Sequence, residues 1–217
     1  MARPRLKPGQ VQAILGGFDD DQARVVFLTV ALTGIRCAEM QKLRWLDVDL
    51  IENRLRVVDS KTKTGERSIG LDPTLAEELW QWRRRTNYRG DGDRVFCFQE
   101  SGGRYRSNWF KAALLRACET AGVALPRGFR QLHDLRVTSI TTGILANEHP
   151  VKAQARAGHA NFATTQRYID LAGVVFHEEA AALAERMLGL STASSTRLAA
   201  PQPTSDDVAP LNGAAVA

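Results

Sequence analysis

The sequence predicts an α+β fold that is mainly α-helical and carries one small antiparallel sheet. Apolar residues recur at helical spacing along most of residues 8–190. One segment, RLRVVDS followed by KTKTG and ERSIGL, instead alternates polar and apolar residues around a polar turn, which is the pattern of a β-hairpin. The chain has 217 residues, of which 44% are hydrophobic, so it can bury a substantial core.

The elements before the hairpin are three predicted helices. Residues 8–17 favour a short helix. DDQARVVFLTVALTG then predicts a strongly apolar helix, because its acidic start suits the helix dipole and Gly34 suits a left-handed C-terminal cap. Arg36 follows the end of this buried helix, a rigid place for a side chain. CAEMQKLRW predicts a second short helix that leads into the hairpin, with Lys61 and Lys63 near the turn.

The elements after the hairpin are almost all predicted helices, with VFCF as a candidate short strand. The helical patterns are PTLAEELWQWRRR, NWFKAALLRACETAG, RQLHDLRVTSITTGILANE, PVKAQARAG, FATTQRYIDL and FHEEAAALAERMLGL. Residues 191–217 contain no aromatic residue and no sustained period, so we predict a flexible tail there. We therefore expect one domain over residues 1–190 and a tail over 191–217.

The charge and the cysteine content restrict the class of protein. The formal net charge is +5, and because the tail holds one arginine and two aspartates, the body carries about +6. Such an excess is compatible with binding phosphates. Three widely spaced cysteines indicate neither disulfides nor a zinc site. No run of about 18 apolar residues and no signal peptide are evident, so we expect a cytoplasmic protein that does not contact membranes.

Four short motifs contain the candidate site residues. HDLR places His133 and Arg136 three residues apart, on one face of a helix. TGIRCAEM supplies Arg36 with Glu39 three residues later, and AGHANFATTQRY supplies His159 nine residues before Tyr168. KTGER supplies a lysine in the hairpin. Taken alone, HDLR is a weak signal, since an i,i+3 polar pair usually marks a solvated face.

Together, in this order and spacing, the motifs resemble the tyrosine recombinases, the phage integrase family, from about residue 7 to residue 190. The resemblance implies the catalytic-domain fold of that family and double-stranded DNA as the partner. The candidate catalytic residues that it implies are Arg36, Lys63, His133, Arg136, His159 and Tyr168.

The resemblance also implies a mechanism for the phosphate and the nucleophile. Arg36 and Arg136 would each hold the non-bridging oxygens of one DNA phosphate and stabilise the negative charge of the transition state. Tyr168 would attack phosphorus and form a 3′-phosphotyrosine with a free 5′ hydroxyl, which keeps the energy of the backbone bond.

The remaining residues would move protons. His133 would accept the tyrosyl proton, His159 would hydrogen-bond the phosphate, and Lys63 would protonate the leaving 5′ oxygen. Lys63 is preferred to Lys61 because KTGER matches the family's spacing to a basic residue on the returning strand, although Lys61 stays open. Glu39 is expected to brace Arg36 or the first turn of its helix. No step calls for a metal or another cofactor.

Several expectations concern assembly. Only about 35 residues precede Arg36, whereas most relatives carry an N-terminal helical domain that clamps the other face of DNA, so we expect weak, salt-sensitive DNA binding. The working form is expected to be a homotetramer on two DNA sites, monomeric when free, with an accessory bending or directionality factor. Two alternatives are a type IB topoisomerase-like enzyme and a catalytically idle DNA-binding remnant.

Overall fold

The computed structural model describes residues 4–58, 66–105, 107–173 and 183–187. Residues Met1–Val174 form one compact unit. Its helices are α1 (Pro8–Gly16), α2 (Asp21–Thr33), α3 (Cys37–Met40), α4 (Pro73–Arg85), α5 (Ser107–Thr120), α6 (Gln131–Leu145), α7 (Pro150–Ala157) and α8 (Phe162–Ala172). A 3₁₀ turn (Trp45–Asp47) precedes strands β1 (Val48–Asp49), β2 (Arg54–Val57) and β3 (Arg67–Gly70). The mainly helical fold with one small sheet is confirmed.

Helix α2 is the central helix of the main core. The carboxylate of Asp20 accepts a hydrogen bond from the Ala23 amide at 2.9 Å and so caps the first turn. Side chains on several sides of the helix, such as Phe27 and Val30, are fully buried. Gly34 ends the helix with φ of 64°, the left-handed conformation that glycine adopts easily. The predicted rigid exit before Arg36 is therefore present.

The sheet is antiparallel, with strand order β1-β2-β3. Leu55 of β2 pairs with Ile69 of β3, and both side chains face the core. The residues next to them along each strand face solvent. The predicted hairpin is confirmed. Its turn, residues 59–65, lies outside the described residues, and so do Lys61 and Lys63.

Helix α6 joins two hydrophobic clusters. Leu132 and Leu135, near its start, belong to the main core formed by α1 to α5 and the sheet. Val137 and Ile140 belong to a second cluster with side chains of α7 and α8, including Tyr168. Because α6 packs on both sides, residue 136 lies where the two clusters meet.

Two predicted elements differ from the structure. The predicted helix CAEMQKLRW ends at Met40, because the chain turns to bury Trp45, whose indole N–H donates to the Tyr88 carbonyl at 2.8 Å. VFCF is not a strand. The hydrogen bonds of its backbone do not follow a strand ladder. The Val95 amide donates to the Leu43 carbonyl at 3.0 Å, and the Val95 carbonyl accepts from the Trp82 indole at 2.7 Å. Burial without a neighbouring strand explains why this apolar run was misleading.

Of the predicted helix over residues 176–190, only residues 183–187 are described, and they are helical. Leu183 and Met187 are exposed there. The predicted tail, residues 191–217, lies outside the described part of the chain. Among the helices that can be described, none combines the length and the apolar character needed to span a bilayer.

Candidate active site

Arg136 lies at the centre of the site and connects three segments of the chain. One terminal nitrogen of its guanidinium donates to the carbonyl of Gly34, at the end of α2. The other donates to the carbonyl of Ala157, at the end of α7, and lies 2.9 Å from Nε2 of His159. The residue is only 7% exposed, so its position is fixed by the surrounding backbone.

Arg36 reaches the same place from the turn between α2 and α3. Its backbone amide donates to one carboxylate oxygen of Glu39 at 2.9 Å, and its Nη1 donates to the other at 2.7 Å. Its Nη2 donates to the carbonyl of Gly158. Glu39 therefore braces both Arg36 and the first turn of α3, the two alternatives that the sequence left open. The Arg36 side chain is 40% exposed and remains accessible to a ligand.

Arg67, the first residue of β3, is a site residue that the sequence analysis used only to locate the lysine. Its guanidinium donates to both oxygens of Glu39, at 2.8 and 3.1 Å, and its Nε donates to the Arg156 carbonyl at 2.8 Å. The side chain is 9% exposed. Arg67 thus ties the strand that returns from the lysine hairpin to both α3 and the end of α7.

The charges of this cluster do not cancel. Burial by itself raises the pKa of Glu39, but the hydrogen bonds from Arg67 and Arg36 outweigh it and lower that pKa to about 2. Burial is the main cause that lowers the pKa of Arg136 to about 10, and repulsion from Arg36 is the second cause. Because this value is still well above 7, the guanidinium remains charged at neutral pH. Three guanidiniums face one carboxylate, which leaves an excess of two positive charges for an anion.

Gly158 brings the guanidiniums close to the turn between α7 and α8. Its φ of 66° lies in the left-handed region. A Cβ at this position would lie 2.7 Å from Nη1 of Arg67 and 3.1 Å from Nη1 of Arg36. The backbone conformation therefore favours glycine, and a side chain here would force the Arg67 guanidinium to shift.

His159 and Tyr168 are stacked beside this cluster. Their ring centroids are 5.4 Å apart with an interplanar angle of 14°. Each residue is 8% exposed. Burial, and then the positive charges of Arg136, Arg36 and Arg67, lower the pKa of His159 to about 4, so the imidazole is neutral at pH 7. Its Nδ1 lies 2.9 Å from the hydroxyl of Thr165.

His133 occupies the exposed edge of α6. Its side chain is 50% exposed, and its Nε2 lies 3.9 Å from a carboxylate oxygen of Asp134, which is fully buried. The structure therefore brings Arg36, Arg136, His159 and Tyr168 together, places His133 one helical turn from Arg136, and does not describe Lys63. Within the described ranges, no cluster of three or more His, Cys, Asp or Glu side chains has the arrangement of a metal site.

Comparison with known proteins identifies the family. Residues 4–173 match the sequence model of the phage integrase family. The chain belongs to this family. Among curated relatives, the ICEBs1 integrase of Bacillus subtilis (strain 168) is 26% identical over 182 residues, which cover 74% of this chain and 47% of the relative. The chain thus spans about half the length of that integrase.

Solved structures of integrases and recombinases share the fold. The Tn1549 transposon integrase in complex with circular intermediate DNA has a TM-score of 0.70 at 21% identity, covering 85% of this chain and 67% of that one. XerA recombinase gives 0.67 at 19% identity, with 86% and 66% covered. The catalytic domain of bacteriophage HP1 integrase gives 0.61 at 21% identity, with 87% and 98% covered. The predicted integrase catalytic-domain fold is confirmed.

The phage integrase motifs drew attention to the candidate catalytic residues and not to the residues that hold them. Gly158 and Thr165 each contact a candidate catalytic side chain, and Arg67 contacts Glu39, which holds Arg36. None of the three was proposed as a site residue from the sequence. A signal was present for each, since Arg67 ends KTGER and the other two lie inside AGHANFATTQRY. Their roles depend on contacts that only the fold brings together.

Proposed function

We propose that this member of the phage integrase family is a site-specific DNA recombinase that cuts and rejoins DNA strands through a 3′-phosphotyrosine intermediate. The observation that carries the proposal is the junction of Arg136, His159 and Tyr168. Arg136 contacts the imidazole, and the imidazole stacks on the phenol ring. An anion-binding guanidinium and a tyrosine are thereby held on either side of one histidine. The process served would be integration or excision of a phage or mobile element.

The two arginines retain enough hydrogen-bonding capacity for a phosphate. A guanidinium has five N–H groups. Within the described part of the chain, Arg136 uses three of them and Arg36 uses two through side-chain hydrogen bonds. The remaining groups, together with the excess of positive charge, suit a phosphodiester whose charge grows as the pentavalent transition state forms.

Tyr168 needs a base, because a free phenol has a pKa of about 10 and is only about one part in a thousand ionised at pH 7. His159 is poorly placed for this task, since its ring faces the phenol in a stack and its Nε2 lies against Arg136. We therefore assign proton acceptance to His133, on the exposed edge of α6, and contact with the phosphate to His159. Lys63 is assigned to protonate the leaving 5′ oxygen.

Covalent trapping tests the reaction. The protein is incubated at low salt with nicked duplexes whose short 5′ fragment diffuses away after cleavage, and SDS-stable adducts are mapped by peptide mass. We expect an adduct on Tyr168 that is absent in Tyr168→Phe. Tyr88→Phe, which removes a hydroxyl from a loop tyrosine, is the matched control and should retain the adduct. DNA binding without any adduct would instead support the idle remnant.

Assembly and specificity require separate measurements. We propose double-stranded DNA as the partner and a homotetramer on two DNA sites, formed from free monomers with help from an accessory factor. Sedimentation of the protein with and without paired duplexes would show a change from one to four subunits. Relaxation of supercoiled plasmid by the monomer, without any preferred site, would contradict this assignment and favour the topoisomerase-like alternative.

A further inference from the structure

We propose that Arg156 is a positioning residue that fixes the distance between the carboxyl ends of α2 and α7, across which Arg136 is held. The inference rests on the recombinase proposal and deepens it, because Arg136 is a guanidinium proposed to hold the phosphate. Its basis is a contact of Arg156 that runs parallel to the bonds of Arg136.

The end of α7 presents three consecutive carbonyls to the guanidiniums of the site. The carbonyls and the guanidiniums that donate to them are Arg156 with Arg67 at 2.8 Å, Ala157 with Arg136 at 2.9 Å, and Gly158 with Arg36. A shift of this helix end would therefore move a partner of all three guanidiniums at once.

The side chain of Arg156 connects this helix end to the end of α2. Its Nη1 donates to the carbonyl of Thr33, the last residue of α2, at 3.0 Å. Arg136 donates to the next carbonyl, that of Gly34, and so bridges the same two helix ends. The last carbonyls of a helix have no partner within it, so a guanidinium that binds one of them holds the helix end in place. The two arginines thus form parallel connections between α2 and α7.

Glu148, in the turn between α6 and α7, orients the Arg156 guanidinium. Its two carboxylate oxygens accept from Nε and Nη2 at 2.8 and 2.6 Å, a bidentate pair in which both side chains are largely buried. Nη1 also lies 3.3 Å from the hydroxyl of Ser139 on α6. The carboxylate therefore fixes the planar fork with Nη1 directed at α2, a geometry that the single ammonium group of lysine does not reproduce.

The pKa of His159 reports whether Arg136 keeps its position. Burial, and then the charge of Arg136, lower this pKa from 6.5 to about 4, and the charges of Arg36 and Arg67 add to the effect. Withdrawal of Arg136 would remove the largest of these charge contributions, so the pKa of His159 would rise. Because Arg156→Lys keeps the positive charge of residue 156, such a rise would come from movement of the site and not from lost charge.

NMR titration of the ¹⁵N-labelled full-length chain without DNA measures this pKa, with His159 assigned by the loss of its signals in His159→Gln. We expect the proton affinity of His159 to rise about tenfold or more in Arg156→Lys. Arg24→Lys is the matched control, because Arg24 forms a partly buried pair with Glu78 near the other end of α2. It should keep the wild-type titration.

Covalent trapping of the same variants separates positioning from DNA binding. In Arg156→Lys we expect the rate of adduct formation at saturating DNA to fall about tenfold, because the guanidiniums are displaced from the phosphate. The DNA concentration that gives half the maximal rate should stay within about twofold of wild type, since the charge is unchanged. Arg24→Lys should match wild type in both quantities.

A double variant, Arg156→Met with Glu148→Met, separates positioning from stability. Apolar side chains of similar volume can replace an ion pair without loss of stability, whereas a single substitution leaves a charge unpaired. We expect the midpoint of chemical denaturation to lie close to wild type and the adduct rate to remain about tenfold low, since methionine cannot donate to Thr33.

Two results would overturn the inference. One is a folded Arg156→Lys protein in which His159 titrates as in wild type, and the other is a wild-type adduct rate in the double variant. Absence of adduct in the wild type, together with the expected change of the His159 titration in Arg156→Lys, would contradict the recombinase proposal alone.

Discussion

Arg36 and Arg136 are both proposed to hold one DNA phosphate, but the protein holds the two side chains in different ways. Arg36 lies at the surface, and its partners are the carboxylate of Glu39, which it shares with Arg67, and the carbonyl of Gly158. Arg136 is buried, and its partners are two carbonyls and a neutral imidazole. A carboxylate orients a guanidinium firmly but cancels part of its charge. Carbonyls and an imidazole orient it without cancelling any, at the expense of desolvation that lowers the pKa of Arg136 to about 10.

The difference suggests different roles for the two arginines within the proposed phosphate site. Arg136 supplies an undiminished charge in a low-dielectric environment, where electrostatic stabilisation of a transition state is strongest. Arg36 supplies a directed and accessible contact. Arg67 makes this possible, because it supplies a second cation to Glu39 and so leaves more of the Arg36 charge for a ligand. Substitutions at these residues and their neighbours test this division.

Substitution of each arginine by lysine should affect the reaction unequally. Arg136→Lys replaces a planar fork that spans three acceptors and should slow adduct formation at Tyr168 about a hundredfold to a thousandfold. Arg36→Lys keeps an exposed cation beside Glu39 and should cost about tenfold. Single-turnover trapping measures both rates. Equal losses, or a larger loss at Arg36, would contradict the proposed division.

Alanine at Gly158 should disturb both arginine environments at once. Gly158→Ala adds a Cβ within 2.7 Å of Arg67 at a φ of 66°, so we expect the free energy of unfolding to fall by about 2 to 4 kcal/mol. Gly173→Ala is the matched control, because Gly173 has a φ of 64° and, among the described residues, no atom lies within 4 Å of the position its Cβ would take, so strain alone should cost about 1 kcal/mol. Chemical denaturation measures the difference. Similar losses in the two variants would show that the guanidiniums give way easily.

The contacts that Glu39 makes with Arg36 and Arg67 should make the free energy of unfolding depend on pH in the acid range. The pKa of this carboxyl is lowered from 4.5 to about 2, so the folded state binds fewer protons than the unfolded state between these values. The stabilisation is present above pH 4.5 and is lost as the pH falls toward about 2, by up to about 3 kcal/mol.

Arg67→Gln should reduce this acid-dependent term, because it removes the leading favourable contact of the carboxylate. Denaturation at several pH values, compared with wild type, measures the change. The same variant should slow adduct formation about tenfold, since Glu39 would then pair with Arg36 alone. Wild-type pH dependence in Arg67→Gln would show that Arg36 holds the carboxylate without help.

An arginine–carboxylate pair outside the site provides the smallest expected effect. Arg85 at the end of α4 lies 2.8 Å from Asp21, and both side chains are 56% exposed. Arg85→Ala should change the free energy of unfolding by less than about 1 kcal/mol and leave adduct formation unchanged. Thermal denaturation and trapping test this. A marked loss of DNA cleavage would show that Arg85 contacts DNA.

Sequence patterns anticipated the parts of the molecule that are determined locally. Periodicity located the long helices, since a helix needs one continuous apolar stripe wherever it packs. The same logic failed for VFCF and CAEMQKLRW, where burial of Trp45 and Val95 by distant segments overrides the local pattern. The six catalytic residues proposed from the motifs remain predictions.

The contacts that hold the candidate catalytic residues in place could not be predicted in the same way. Arg67 and the Arg156 carbonyl that it contacts are 89 positions apart, and no local pattern encodes such a pair. The pairing of Glu39 with Arg67 likewise joins a helix to a strand 28 positions later. These contacts become visible only when the hairpin has been placed against the end of α7.

The large sequence separation between the two site arginines and the carbonyls that they contact also affects how the chain folds. Arg36 bonds to a carbonyl 122 positions away, and Arg136 to one 102 positions away, so each contact closes a loop that spans about half the chain. Closure of such loops is entropically costly and comes after local helices and the hairpin have formed. The proposed phosphate site should therefore be among the last features to assemble during synthesis and among the first to open under mild denaturant. A nascent or partly unfolded chain would then carry an intact tyrosine but no means of using it on DNA.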